Sequence, residues 1–270
     1  MFVNARVSPR IALIAASALA VAAIAGSIAA DTPKKPAARS AEARIAELEA
    51  TVKSLAARVQ TQEDIEAIYK LTRAYGYYVD KAQWSDVASL WAENDSSVEI
   101  AARGVYLGRK GAERLFKASM GRGREGLREG QLFNHMILQG VVDVDPGGKT
   151  AKGRWRAWVQ LGSAPVEGRP GFAMWSEGTY ENEYVKESGV WMFKKMKFWP
   201  TFYTPYDKGW GAQVNPNNKP DANNPPDLPK SDDSDVLPKT FVPPYHYPNP
   251  VTGKPWVAPT PAPPAAPSGQ

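Results

Sequence analysis

The residues that could do chemistry here are few. The chain holds two histidines and no cysteine, which excludes thiol nucleophiles, disulfides and thiolate metal sites. His246 lies among prolines near the C-terminal end, whereas His135 stands at the start of the alternating stretch from Phe133 to Val144. His135 is therefore the titratable group of the expected core whose ordinary pKa lies near neutrality. A second group of interest closes an amphipathic helix: Tyr75, Tyr78 and Asp80. Tyr75 and Tyr78 are three apart and share a helical face, with Tyr77 pointing elsewhere. If Asp80 reached His135, it would set the imidazole tautomer and stabilise its cation, a pairing suited to general acid–base catalysis. A phenol beside them would donate to a developing oxyanion. Each residue also has a plainer reading. His135 would serve a strand end, Asp80 a local turn, and the tyrosines ordinary packing with a polar tip.

Other candidates follow from strand parity. Tyr180 and Glu177 differ in parity and face opposite sides of an unbulged strand, so parity alone leaves open which of them borders a site. Lys152, Arg154 and Arg156 alternate on one face, opposite Trp155 and Ala157; that pattern suits a solvated face or an interface, or an acidic ligand group. Trp158 and Trp199 are expected to stack on a ligand, and Arg103 and Tyr106 to line it near a strand end. Two histidines without cysteine make a metal site unexpected. The run Gly121–Gly126 formally fits a dinucleotide glycine fingerprint, but it is charged and lacks the strand–turn–helix context. No serine elbow with a triad appears. The expectation is cofactor-free proton chemistry. Net charge is +5, without a dense basic cluster interleaved with aromatics, so nucleic acid is not an expected partner.

The elements that must position these groups can be read in turn. Arg6 and Arg10 precede an apolar, alanine-rich run from Ile11 to Ala30. That is the pattern of an export signal cleaved near Ala29 or Ala30, or of an uncleaved anchor, since about 20 residues suffice to span a bilayer. A periplasmic location follows as the expectation, with membrane contact only through this segment. Residues 31–61 form a linker and a short helix in which Ile45, Leu48, Val52, Leu55 and Val59 alternate spacings of three and four, a coiled-coil seam. It would either join copies into a dimer or trimer or lie on its own domain. Helices are expected from Glu63 to Val79, Trp84 to Ala92 and Lys110 to Met120. Strands are expected over Val98–Val105, Phe133–Val144, Thr150–Leu161, Gly171–Lys186 and Val190–Trp199, with turns at Asp145–Gly148 and Ser188-Gly189. Helices followed by antiparallel strands predict an α+β fold with helices on one face of a curved sheet. Residues 206–270 carry most of the 24 prolines with spaced aromatics. This tail is expected to dock as far as about Trp256 and to be disordered at its end.

Four segments taken together resemble a known family: IYKLTRAYGYYVDKAQWSDVASLWAEN, GVYLGRKGAERLF, FNHMILQGVVDVDPGGKTAKGRWRAW and EGTYENEYVKESGVWMFKKM. Their order and spacing resemble the SnoaL-like branch of the nuclear transport factor 2-like superfamily over residues 62–205. The resemblance implies an α+β cone, three N-terminal helices closing over a bent antiparallel sheet. It also implies pocket positions at Tyr75, Asp80 and His135, and it puts pocket residues on the strand face that carries Tyr180, which is why Tyr180 rather than Glu177 is the expected site residue. Members include polyketide cyclases, scytalone dehydratase, ketosteroid isomerases and cofactor-free lyases of aromatic compounds, alongside binding modules. The second pocket histidine of scytalone dehydratase has no counterpart in this core. The implied function is a cofactor-free lyase, a dehydratase or a deformylating aldehyde-lyase, acting on a small hydrophobic phenolic compound. A non-catalytic exported binding module and a double-bond isomerase are the alternatives.

Overall fold

The computed structural model describes residues 40–210 and 218–259. The chain divides into two compact units, residues 1–48 and 49–270. Of the first, only Ser40–Leu48 is among the described residues. The segments read as export signal and linker lie outside them, as does the extreme C-terminus. No described helix is long and apolar enough to cross a membrane.

The first element is one helix, α1, over Ala41–Asp80, rather than the two helices divided near Glu63 that the sequence suggested. Ser40 caps it, its hydroxyl accepting from the Ala43 amide at 3.2 Å, and no glycine or proline interrupts residues 41–75. From Asp64 onward it buries Ile68, Thr72, Tyr75, Gly76 and Val79. It ends where Ala82 adopts a positive φ of 53°. The short α2, Trp84–Ser89, follows. β1 (Ser97–Ile100) and β2 (Val105–Leu107) replace the single strand expected over Val98–Val105. They are separated by a 3₁₀ turn at Ala101–Arg103 and by Gly104, whose φ of 89° suits glycine. α3, Gly108–Glu113, continues as a π-helical turn over Arg114–Met120.

Four long strands form most of the sheet: β3 (Gln131–Val144), β4 (Thr150–Ser163), β5 (Phe172–Glu187) and β6 (Val190–Pro205). The order is β2-β1-β6-β5-β4-β3, antiparallel except for β1 beside β6. The expected turns occur at residues 145–148 and 188–189. Register shifts between Leu138 and Val141, and at Glu177/Gly178, interrupt the ladders, and such bulges bend strands. Gly178 is required at the second shift, because a Cβ there would lie 2.4 Å from the Trp199 carbonyl oxygen.

Alternation decides the two faces. On β4, Ala151, Trp155, Ala157 and Val159 are buried toward the helices, while Lys152 and Arg156 are exposed. The core they enter is ring-rich, with Tyr75, Trp91, Tyr106, Phe116, Tyr180, Tyr184 and Phe193 fully buried. The described part of the tail docks on the outer side. Lys197 Nζ meets Glu99 at 3.0 Å and Asp232 at 2.7 Å. The Trp199 indole donates to Asp232 at 2.7 Å, and Phe241 stacks on that indole. Arg154 bonds Glu181 and lies 3.9 Å from the centre of the Tyr245 ring, and His246 Nδ1 meets Glu181 at 2.8 Å. The arginines of β4 therefore serve the tail and strand-to-strand pairs.

Candidate active site

His135 lies on the inward face of β3, two residues after Phe133, and its position depends on a close approach by α1. Gly76 makes that possible: a Cβ there would sit 2.9 Å from the His135 carbonyl oxygen and 3.1 Å from Ile137. With helix and strand this close, the Asp80 carboxylate accepts a short hydrogen bond from the His135 main-chain amide. This corrects the expected pairing. The carboxylate anchors the strand backbone at the His135 amide, and the ring bonds Tyr180 instead. Burial pushes the Asp80 pKa up, and the His135 amide and Lys81 offset part of that rise.

The imidazole has a different partner. His135 Nε2 lies 2.9 Å from the Tyr180 hydroxyl, which lies 3.2 Å from the Tyr75 hydroxyl. The three groups form a hydrogen-bonded row spanning β3, β5 and α1. The Tyr75 ring stands edge-on to the imidazole, with centres 5.8 Å apart and planes at 87°. His135 is buried at 8% exposure. That burial pulls its pKa down to about 4, so the ring is neutral near pH 7. Burial likewise raises both tyrosines, which stay protonated donors.

The register extends the site across the sheet. His135 pairs with Val159, Val159 with Ser176, and Ser176 with Tyr203, so these four lie in one line on the inner face. Ser176 is fully buried. Tyr203 is held above its ordinary pKa by burial, with Arg103 and Ser176 opposing the rise. Tyr203 was missed because the last strand was expected to stop at Trp199, and the alternation of Phe202, Tyr203 and Thr204 was the available signal; Ser176 was missed although it lies within the expected strand Gly171–Lys186, where its parity with Tyr180 was the available signal. Phe133 and Leu161 border the same face and are half-buried against the core.

The other candidates divide as follows. Tyr75 and Tyr180 are brought together with His135. Tyr78 is half-buried against the core, and Tyr77 is exposed at 72%. Arg103 is near enough to influence Tyr203. Tyr106 is taken by the tail, donating to the Asn224 carbonyl oxygen at 2.9 Å under the Arg114 guanidinium. Trp158 and Trp199 are corrections. Trp158 is the neighbour of inward-facing Val159 and so faces outward, in a ring cluster with Trp175, Phe202 and Trp210. Trp199 likewise follows inward-facing Phe198, which packs on Tyr180 with ring centres 4.6 Å apart. Glu177 pairs outward with Arg156, as its parity required. Among the described residues no group of three or more histidines or acidic residues could hold a metal ion.

The SnoaL-like domain family matches residues 60–197. No curated protein matches the chain. Similar solved structures include a protein provisionally named a scytalone dehydratase, from Novosphingobium aromaticivorans DSM 12444. It is 21% identical, with 61% of this chain and 99% of that chain covered and a TM-score of 0.45. The hexachlorocyclohexane dehydrochlorinase LinA-type3 of Novosphingobium barchaimii LL02 is 22% identical, over 59% of this chain and 97% of that chain, with a TM-score of 0.41. An NTF2-like protein with a cystatin-like fold from Novosphingobium aromaticivorans is 22% identical, over 59% and 93% respectively, with a TM-score of 0.40.

Proposed function

The chain belongs to the SnoaL-like domain family, and on that premise we propose that it is a cofactor-independent lyase eliminating water from a hydrophobic aromatic compound. One observation carries the reading: a buried imidazole, neutral near pH 7, joined through Nε2 to two protonated phenols. A neutral imidazole is the form that can accept a proton, and its lowered pKa makes it a weak base that passes the proton on at once. His135 removes a proton from the carbon beside the leaving hydroxyl. The electron pair forms the new double bond and the carbon–oxygen bond breaks. The departing oxygen takes hydrogen bonds from Tyr180 and Tyr75, and the proton held by His135 passes to it, so that water leaves and His135 is neutral again. This order differs from the acid role expected of a dyad with Asp80, because burial opposes the imidazolium. Asp80 fixes the strand that carries His135. The substrate ring lies along the inner face against Phe133, Val159 and Leu161, with Tyr203 and Arg103 toward its far end. A para-hydroxyaryl substrate fits these polar ends. Loss of a small aldehyde in place of water is the variant of the same chemistry to be separated from it.

Two expectations join this proposal. Residues 1–30 act as an export signal, placing the enzyme in the periplasm, and residues 206–270 are an extension of the domain rather than part of its site. The isomerase alternative needs Asp80 as proton carrier and loses support, because its carboxylate is engaged by the His135 amide. A non-catalytic binding module draws support from the rings of Tyr75 and Tyr180 packed against His135. The test is incubation of the purified protein, without added cofactor, with benzylic alcohols and phenolic 1,3-diols. New ultraviolet absorbance from a conjugated product supports the lyase, and aldehyde assay separates the two eliminations. Tight binding with no turnover across the panel, or full turnover by His135→Gln, overturns the proposal.

A further inference from the structure

The first half of α1 presents an apolar stripe that is left exposed among the described residues. Val52, Leu55 and Val59 are exposed at 64%, 49% and 56%. At about 100° per residue, they centre about 170° around the helix from Asp64, Ile68, Thr72, Tyr75 and Val79, which α1 buries. The stripe therefore faces away from the core, and the reading of this segment as a helix lying on its own domain is excluded for these residues. The same outward face continues through residues 63–77 with Glu63, Ala67, Lys70, Ala74 and Tyr77, beside Glu66 and Arg73.

The residue choices specify what fits this face. With Ile45, Val52 and Val59 at the first apolar position of each heptad and Leu48 and Leu55 at the second, β-branched residues alternate with leucine. That arrangement favours two parallel strands over three or four. The flanking positions agree. In a parallel in-register pair, Arg44 faces Glu49 of a second copy and Arg58 faces Glu63 of a second copy, each twice by symmetry; all four are exposed. An antiparallel pair would not bring these charges together. We propose that α1 is a parallel two-stranded coiled-coil interface whose partner is a second copy of this chain. The heptad segment alone, about two and a half heptads, is marginal. Ala67 and Ala74 let the helices stay close along the continuing face, so that the two sheets, each with its His135 site, lie on opposite outer sides of the pair.

The chain has no cysteine, so a single introduced thiol is a clean reporter. The full chain, held in mild detergent because of its apolar N-terminal run, should have the mass of a dimer by light scattering. Val52→Cys should form a disulfide-linked dimer on mild oxidation, since first heptad positions meet only in the parallel register. Leu55→Glu with Val59→Glu should weaken association by about 100-fold or more with unchanged circular dichroism apart from the helix. Arg58→Glu and Glu63→Arg should each weaken self-association, and a mixture of the two should form heterodimers. A monomer, a trimer, an uncrosslinked Val52→Cys, persistence of the dimer in the double glutamate variant, or no heterodimer preference would each overturn the proposal. These readouts are independent of whether the chain is an enzyme.

Discussion

Replacing His135 with glutamine tests the physical state on which the proposed chemistry depends. In an unfolded chain histidine has a pKa of about 6.5, and burial in the folded protein lowers it to about 4. The unfolded state then binds a proton that the folded state refuses. This contribution to stability is complete above pH 6.5 or so and is lost as pH falls toward about 4. The gap corresponds to about 3 kcal/mol in full, of which about 2 kcal/mol is gone by roughly pH 4.5. Several carboxylates held below their ordinary range, Asp64, Asp227 and Asp232 among them, also lose stability as acid protonates them, so the wild type alone does not isolate the imidazole. His135→Gln keeps a polar group near Tyr180 and cannot titrate. Urea unfolding of both proteins, followed by tryptophan fluorescence from pH 7 down to pH 4.5, gives the difference directly. The wild-type advantage should shrink by about 2 kcal/mol across that window. Curves that stay parallel would refute the buried neutral imidazole and, with it, the base assigned here. With only two histidines in the chain, NMR titration of the ring protons gives an independent check: one signal should have its midpoint near 4.

Further outcomes follow from the same geometry. Tyr180→Phe removes the hydroxyl shared by His135 and Tyr75; it should cost about 1–3 kcal/mol in denaturant unfolding and about 10²-fold in turnover of any substrate found. Gly76→Ala places a methyl 2.9 Å from the His135 carbonyl oxygen; overpacking of about 1–3 kcal/mol is expected, visible as a lower melting temperature, and wild-type stability would contradict the tight helix–strand approach. Lys197→Met leaves buried Glu99 and nearby Asp232 without their shared cation. A loss of about 3–5 kcal/mol is expected, with faster proteolysis in the tail beyond Trp210; unchanged proteolysis would show that this cluster does not hold the tail.

Local patterns were enough to read the α+β class, four of the long-strand locations and both tight turns, because alternation and turn chemistry are properties of neighbouring residues. The nearness of Tyr75 to His135, with ring centres 5.8 Å apart, was implied by family resemblance and not by local pattern. What misled was parity without registration: Trp158 and Trp199 looked like ligand-stacking rings, yet each sits one residue from an inward-facing neighbour, Val159 and Phe198. The extent of β6 was cut short at Trp199, and Tyr203 was lost with it.

By itself the sequence determined the inventory: one histidine in the core, no thiol, a tyrosine-bearing helix, and a heptad stripe whose β-branched and leucine positions are set by spacing alone. Only the tertiary structure decided who meets whom. Asp80 reaches the His135 main chain and Tyr180 reaches its ring because Gly76 lets α1 lie against β3 and because β5 is registered two strands away. These are distances between segments tens of residues apart, and strand spacing and helix approach, rather than local propensity, set them. The same packing strips water from the imidazole and so holds it neutral.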